Sequence, residues 1–166
     1  MSPRAAWRLE SLGFTRVYDY LPGKADWFAA GLPREGTRAT IARAGDVVRR
    51  DEVTCRLGDR VGEVGERVRA AGQPWCLVLN DDDIVLGRLR GAALDAEPGA
   101  LVDDVMESGP TTARPDVEVE ELTERLRGRD VSSIVITSSE GRLIGTFTVG
   151  EAEPEPEDAP ESCLCE

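Results

Sequence analysis

The residues best placed to do chemistry stand late in the chain, in GRLIGTFTVGE (residues 141–151), where the Thr148 hydroxyl precedes the Glu151 carboxylate by three positions. The pair reads in two ways: as part of a ligand site, or as a β-branched strand residue running into an acidic tail. Cys163 and Cys165, in SCLCE, have a spacing that could chelate a soft metal or form a mixed disulfide. A lone CxC without further ligands is a weak metal signal, and an unstructured terminus is the simpler reading. Cys55 and Cys76 fall in apolar strand patterns, where a thiol acts as a small hydrophobe. The chain has no histidine, which removes the usual neutral-pH acid or base, the imidazole-dependent triads and most catalytic zinc sites. No catalytic residue and no metal site is assigned.

At 166 residues, 40% hydrophobic and 31% charged, the chain has the composition of a soluble globular protein. Its net charge of −12 divides as +4 over residues 1–50, −9 over 51–150 and −7 over 151–166. Most of such a surface repels phosphate backbones, so nucleic acid is excluded as a broad partner. The basic N-terminal third leaves room for a local anion or an acidic partner, though a solvated face accounts for it as simply. The longest apolar runs, WCLVL and SIVI, are strand-sized, and no signal-peptide core or membrane span is present. The expected location is cytoplasmic.

Elements to hold the chemistry emerge when the chain is slid past itself by 58 residues, so that Gly87 meets Gly145. GDRVGEVGERVRAAGQPWCLVLNDDDIVLGRLR then lies on DVEVEELTERLRGRDVSSIVITSSEGRLIGTFT without a gap. Asp46 meets Asp104, Thr54 meets Thr112, Arg56 meets Arg114, and Arg67 meets Arg125. In each copy Val61, Val64 and Val68, or Val119, Leu122 and Leu126, recur at helical spacing, with Glu63 to Arg67 and Glu121 to Arg125 as i,i+4 pairs on the wet side. CLVL or IVIT, a polar turn, and IVLGRL or RLIGTF then predict a hairpin, and a brief strand near Val53 or Thr111 precedes each helix. A short helix is expected at GAALDAE. The fold class is α+β, built of two β-α-β-β repeats over residues 45–97 and 98–151. One unit alone buries too little surface, so the two should pack together.

Residues 1–37 hold six of the eight aromatics, too many for a disordered arm. RAAWRLESLG ending at Gly13, TRVYDY, and ADWFAAG ending at Gly31 predict helix, strand and helix, before a linker at 38–44. Pro154, Pro156 and Pro160 punctuate an acidic tail, residues 152–166, that is expected to be disordered.

Over residues 45–151 this tandem repeat resembles a pair of CBS domains, through LVDDVM, TTARPDVEVEELTERL, VSSIVIT and GRLIGTFT. The resemblance implies a compact pseudo-twofold module with two clefts, a homodimer, and an adenosine-containing ligand: AMP, ADP, ATP or S-adenosylmethionine. The family's G-h-x-[ST]-x-x-D pattern stands in the second repeat as Gly145, Thr148 and Glu151, with Glu for Asp. Its hydroxyl approaches phosphate, its carboxylate accepts two ribose hydroxyls, and the adenine lies near Val131, Ser132 and Ser133. The first repeat offers Gly87, Arg90 and Ala93. Ala93 can bind no ribose, and Arg90 either contacts a phosphate or fills the cleft.

Residues 1–36 resemble the close of a rhodanese domain, whose G-G-x-x-x-W-x-x-x-G-x-P motif stands here as Pro22, Gly23, Trp27, Gly31 and Pro33. The persulfide cysteine of that family would precede the first helix, and this chain has no cysteine before Cys55. Sulfur transfer needs an activated thiolate there, so the segment reads as a structural cap that buries its aromatics against the CBS pair or a second subunit. The function implied is non-enzymatic regulation by an adenosyl ligand held mainly by the second repeat. The alternative is a ligand-free interaction module acting through dimerisation and the acidic tail.

Overall fold

The computed structural model describes residues 2–150. Helix α1 (Ser2–Ser11) ends at Gly13, whose left-handed conformation lets Gly13 and Phe14 donate back to Glu10 and Leu9 at 2.9 and 3.2 Å. α2 (Gly23–Ala29) follows. The strand expected at TRVYDY does not form, since residues 15–20 have no neighbouring strand to take their backbone hydrogen bonds. The aromatics also depart from the expected burial against the repeats. Trp7, Phe14 and Tyr18 are exposed, and only Trp27 and Phe28 are half-buried. Phe28 lies under the guanidiniums of Arg34 and Arg43, 5.1 and 5.7 Å from the ring centre. Arg34 pairs with Asp46 at 2.9 Å and Lys24 with Asp116 at 3.4 Å, so the cap is held to the rest of the chain by charged groups.

The first repeat runs β1 (Thr54–Arg56), α3 (Val61–Ala70), β2 (Trp75–Leu79) and β3 (Val85–Arg90). After a single 3₁₀ turn at Gly91–Ala93, in place of the helix expected at GAALDAE, come α4 (Val102–Val105) and β4 (Glu107–Ser108). The second repeat follows the same order as β5 (Thr112–Ala113), α5 (Val119–Arg127), β6 (Ser133–Thr137) and β7 (Leu143–Thr148). One sheet is β1-β2-β3-β4 and the other β5-β6-β7, each with a parallel first pair and an antiparallel hairpin.

The segments that lead into each repeat change sides. β4, which precedes the second repeat, pairs with β3 of the first. Arg49, which precedes the first, exchanges backbone hydrogen bonds of 2.9 and 3.0 Å with Thr146 of β7. The 58-residue offset relates even these contacts: Val61 donates to Ala100 and Val102 to Asp59, just as Val119 donates to Ala42 and Ala44 to Val117. Gly87 and Gly145 sit where these segments cross. A Cβ at Gly145 would lie 2.0 Å from the Arg49 carbonyl oxygen, and one at Gly87 2.8 Å from that of Glu107.

Strand alternation divides the core into three parts. Cys76 and Val78 face α3, packing with Cys55, Val61, Val64 and Val68. Ile134 and Ile136 face α5 with Leu122, Leu126 and Phe147. The residues between them, Leu77, Leu79 and Val135, join the two repeats, flanked by Trp75, Val85 and Leu143. The hairpin tips meet at an Ile84 to Arg142 bridge, which the same offset maps onto itself and which therefore marks the pseudo-twofold axis.

Candidate functional site

Two clefts open beside this inter-repeat core, and helix ends set their edges. α3 and α5 each stop in the same capping geometry, with Gly72 or Asp130 in the left-handed conformation. The next residue then donates back across the last turn, Gln73 to Val68 and Val131 to Leu126, at 3.1 Å in both. The chain is thus turned from each helix into the next strand, with Gln73 or Val131 left on a cleft wall.

The larger cleft, about 340 Å³, has an apolar wall of Trp75, Leu77, Ile134 and Val135 and hydroxyls from Thr111, Thr112 and Ser133. Its charged lining residues are Arg88, Arg125 and Arg129, with no carboxylate among them. The smaller, about 240 Å³, is lined by Arg49, Glu52, Gln73 and Trp75 from the first part of the chain and by Ser132, Ser133 and Thr148 from the second. Ser133 and Thr148 are direct partners across β6 and β7. Thr146 belongs to both walls, is only 3% exposed, and its Oγ1 is buried without a hydrogen-bond partner. A buried hydroxyl without a partner costs roughly 1–3 kcal/mol, so the position is chemically unusual.

The residues singled out from sequence are therefore distributed. Ser132, Ser133 and Thr148 meet in the smaller cleft, while Val131 and Ser133 line the larger. Gly145 lines neither, because it lies against the backbone of Arg49. Glu151 lies outside the described residues, as do Cys163, Cys165 and the acidic tail. Each cleft draws on both repeats, whereas the sequence pattern had gathered its residues within one. The period-two reading of GRLR and GTFT, which puts Arg88 and Arg90 at the positions of Thr146 and Thr148, was the signal that could have found Arg88 and Thr146.

Charge differs between the clefts. At the mouth of the smaller, Arg49 makes a two-point contact with Asp51, at 2.9 and 3.1 Å, which holds the Asp51 carboxyl below its usual range. Arg90 lines neither cleft. It shares Glu107 with Arg88 at 3.0 Å each, and the Arg90 and Arg88 hydrogen bonds lower the Glu107 pKa. Among the described residues, no carboxylate lies within ion-pair distance of Arg125 or Arg129.

Thiol and metal chemistry find no footing among the described residues. The Cys55 and Cys76 sulfurs lie 3.5 Å apart in the core, and the contact with Cys76, followed by burial, pushes the Cys55 thiol up, away from the thiolate. Among the described residues, no group of three or more His, Cys, Asp or Glu side chains could hold a metal ion, and no helix is long and apolar enough to cross a membrane.

Comparison with known proteins agrees with this architecture. The family model described as the CBS domain matches residues 102–152. An inosine-5'-monophosphate dehydrogenase of Methanocaldococcus jannaschii is 32% identical over 114 residues, covering 66% of this chain but 22% of the relative. The cytosolic domain of the Mg2+ channel MgtE, solved in complex with ATP, superposes with a TM-score of 0.60 at 26% identity, over 66% of this chain and 47% of that one. CBSX2, solved in complex with AMP, gives a TM-score of 0.58 at 19% identity, over 66% and 92%. The chain carries a CBS domain at residues 102–152, within a two-repeat fold shared with solved CBS-pair proteins.

Proposed function

We propose that this is a non-catalytic regulatory protein whose inter-repeat clefts bind an adenosine-containing ligand: AMP, ADP, ATP or S-adenosylmethionine. The observation that carries the reading is the convergence of the Ser132, Ser133 and Thr148 side chains on one cleft, beside the buried and unpartnered hydroxyl of Thr146. Hydroxyls at that density suit the sugar of such a ligand, and the apolar wall of the larger cleft, which shares Trp75, Ser133 and Thr146 with the smaller, suits a base. In this reading Glu151 accepts the ribose hydroxyls, and Val131, Ser132 and Ser133 offer the adenine its edge. Gly145 lets the Arg49 segment close the wall. The relatives solved with ATP and with AMP support the ligand class. We assign the repeats to residues 45–97 and 98–151, after a rhodanese-like cap over 1–37 and a 38–44 linker, and expect a homodimer in the cytoplasm.

The test is thermal denaturation with adenosine, AMP, ADP, ATP and S-adenosylmethionine, repeated with Thr148→Val and Thr146→Val. A ligand at a hundred times its Kd stabilises by about 2.7 kcal/mol, which raises Tm by roughly 5–10 °C in a chain of this size. Both variants should lose most of that rise while melting near the wild type without ligand. A wild type that none of the five compounds shifts would sink the reading. A second reading, a ligand-free interaction module, is favoured by one observation: Trp7, Phe14 and Tyr18 stand in solvent on the N-terminal cap. Light scattering that finds a monomer would count against its dimeric form.

A further inference from the structure

The two clefts are not chemically equivalent, and the difference bears on which adenosine compound the protein takes. The chain carries a net charge of −12, and its residues 51–150 carry −9, so a phosphate-bearing ligand is repelled by most of the surface. The larger cleft reverses that sign locally, since its charged lining residues are the three guanidiniums of Arg88, Arg125 and Arg129. Arg88 is already engaged by Glu107. Arg125, in the last turn of α5, and Arg129, in the turn that follows the helix, line this one cleft and have no carboxylate partner among the described residues. The Thr146 hydroxyl, 97% buried and unpartnered, belongs to the same wall.

We propose that the larger cleft selects a ligand carrying phosphate groups over the sulfonium-bearing S-adenosylmethionine, with Arg125 and Arg129 as the residues that make the choice. This rests on the adenosine reading above for the base and sugar, and adds the charge class. A guanidinium presents several donors in a fixed fork to phosphate oxygens, while a sulfonium meets like charges, those of Arg125 and Arg129 having no carboxylate partner among the described residues. The same two arginines also suit the negative end of the α5 dipole, a merely structural role. Affinity, its ordering across ligands and its salt dependence separate the two.

The experiment is calorimetric titration of the full chain with ATP, AMP, adenosine, S-adenosylmethionine and inorganic tripolyphosphate, for wild type and for Arg125→Gln/Arg129→Gln. In the wild type, ATP should bind more tightly than AMP and AMP more tightly than adenosine, with S-adenosylmethionine no tighter than adenosine. The double variant should weaken ATP by about a hundredfold, at about tenfold per lost guanidinium contact, leave adenosine unchanged and flatten the salt dependence. S-adenosylmethionine binding as tightly as ATP, or a variant that weakens ATP and adenosine equally, overturns the charge assignment while the adenosine reading stands. Binding of tripolyphosphate, lost in the variant, with none of the adenosine compounds bound would defeat the adenosine reading and keep the anion cleft. Silence from all five compounds defeats both.

Discussion

Gly145→Ala tests whether this glycine serves the fold or the ligand. A Cβ there would lie 2.0 Å from the Arg49 carbonyl oxygen and 3.1 Å from Val48 Cβ. Nonbonded carbon and oxygen in packed interiors keep at least about 3 Å, so the Arg49 segment must retreat by about 1 Å. That retreat strains or breaks the two backbone hydrogen bonds between Arg49 and Thr146, at roughly 0.5–1.5 kcal/mol each, and adds an overpacking cost of roughly 1–3 kcal/mol. The expected loss is about 3–5 kcal/mol. At the symmetric position, Gly87→Ala would bring its Cβ to 2.8 Å from the Glu107 carbonyl and from the Met106 sulfur. The flexible thioether can yield, and the Glu107 carbonyl, in an exposed two-residue edge strand, need give only a few tenths of an ångström, so the loss there should be about 1–2 kcal/mol. Urea unfolding at 25 °C, followed by circular dichroism without added ligand, measures both. A Gly145→Ala protein within about 1 kcal/mol of wild type, or one that loses less than Gly87→Ala, would refute the close-approach argument.

Two further perturbations probe the joint between the repeats and the arginine clamp. Leu77→Ala removes a side chain that is wholly buried between the two sheets; it should cost about 2–5 kcal/mol in the same unfolding assay, and a smaller loss would mean that the repeats do not depend on this contact. Glu107 has its folded pKa lowered by Arg90 and then Arg88, so its contribution is full above the unfolded value and is lost as pH falls through the folded one. Wild type should therefore melt above Glu107→Gln at pH 7, and the gap should begin to narrow as pH falls below the ordinary glutamate pKa of about 4.3 and close below the lower, folded value. A gap that does not narrow at all as pH falls below about 4.3 would rule out the charge pairing as its cause.

Much of the repeat architecture was legible because it is written in local periodicity. The spacing of Val61, Val64 and Val68 and of Val119, Leu122 and Leu126 predicted both helices, and the turn residues predicted both hairpins. The 58-residue offset survives in the hydrogen bonds themselves. Residues 15–20 misled because β-propensity says nothing of whether a partner strand exists. The cap aromatics are legible only in part for a related reason: apolar composition argues for burial without naming what covers it, and of the two covers expected, the repeats leave Trp7, Phe14 and Tyr18 exposed. The clefts were the hardest to read. Ser133 and Thr148 follow from strand pairing within one repeat, but Arg49, Glu52 and Trp75 reach the same wall only through the exchange of lead-in segments, a contact between distant parts of the chain. Arg125 was visible as a repeat identity with Arg67, yet its spacing read as a solvated helix face.

That exchange also governs how the chain can be assembled. β4 is the edge of the sheet that begins with β1, so the first half, as it leaves the ribosome, lacks its final strand until residue 108 has been made. Arg49 must wait longer still, for Thr146, 97 positions away. Pairings of such high contact order are slow to form, because the loop entropy is spent before the contact is made. In the interval β3 and then β7 present open edges, which template association with other chains. Neither half is a self-sufficient folding unit, and a cut between the repeats would leave each with the other's strand.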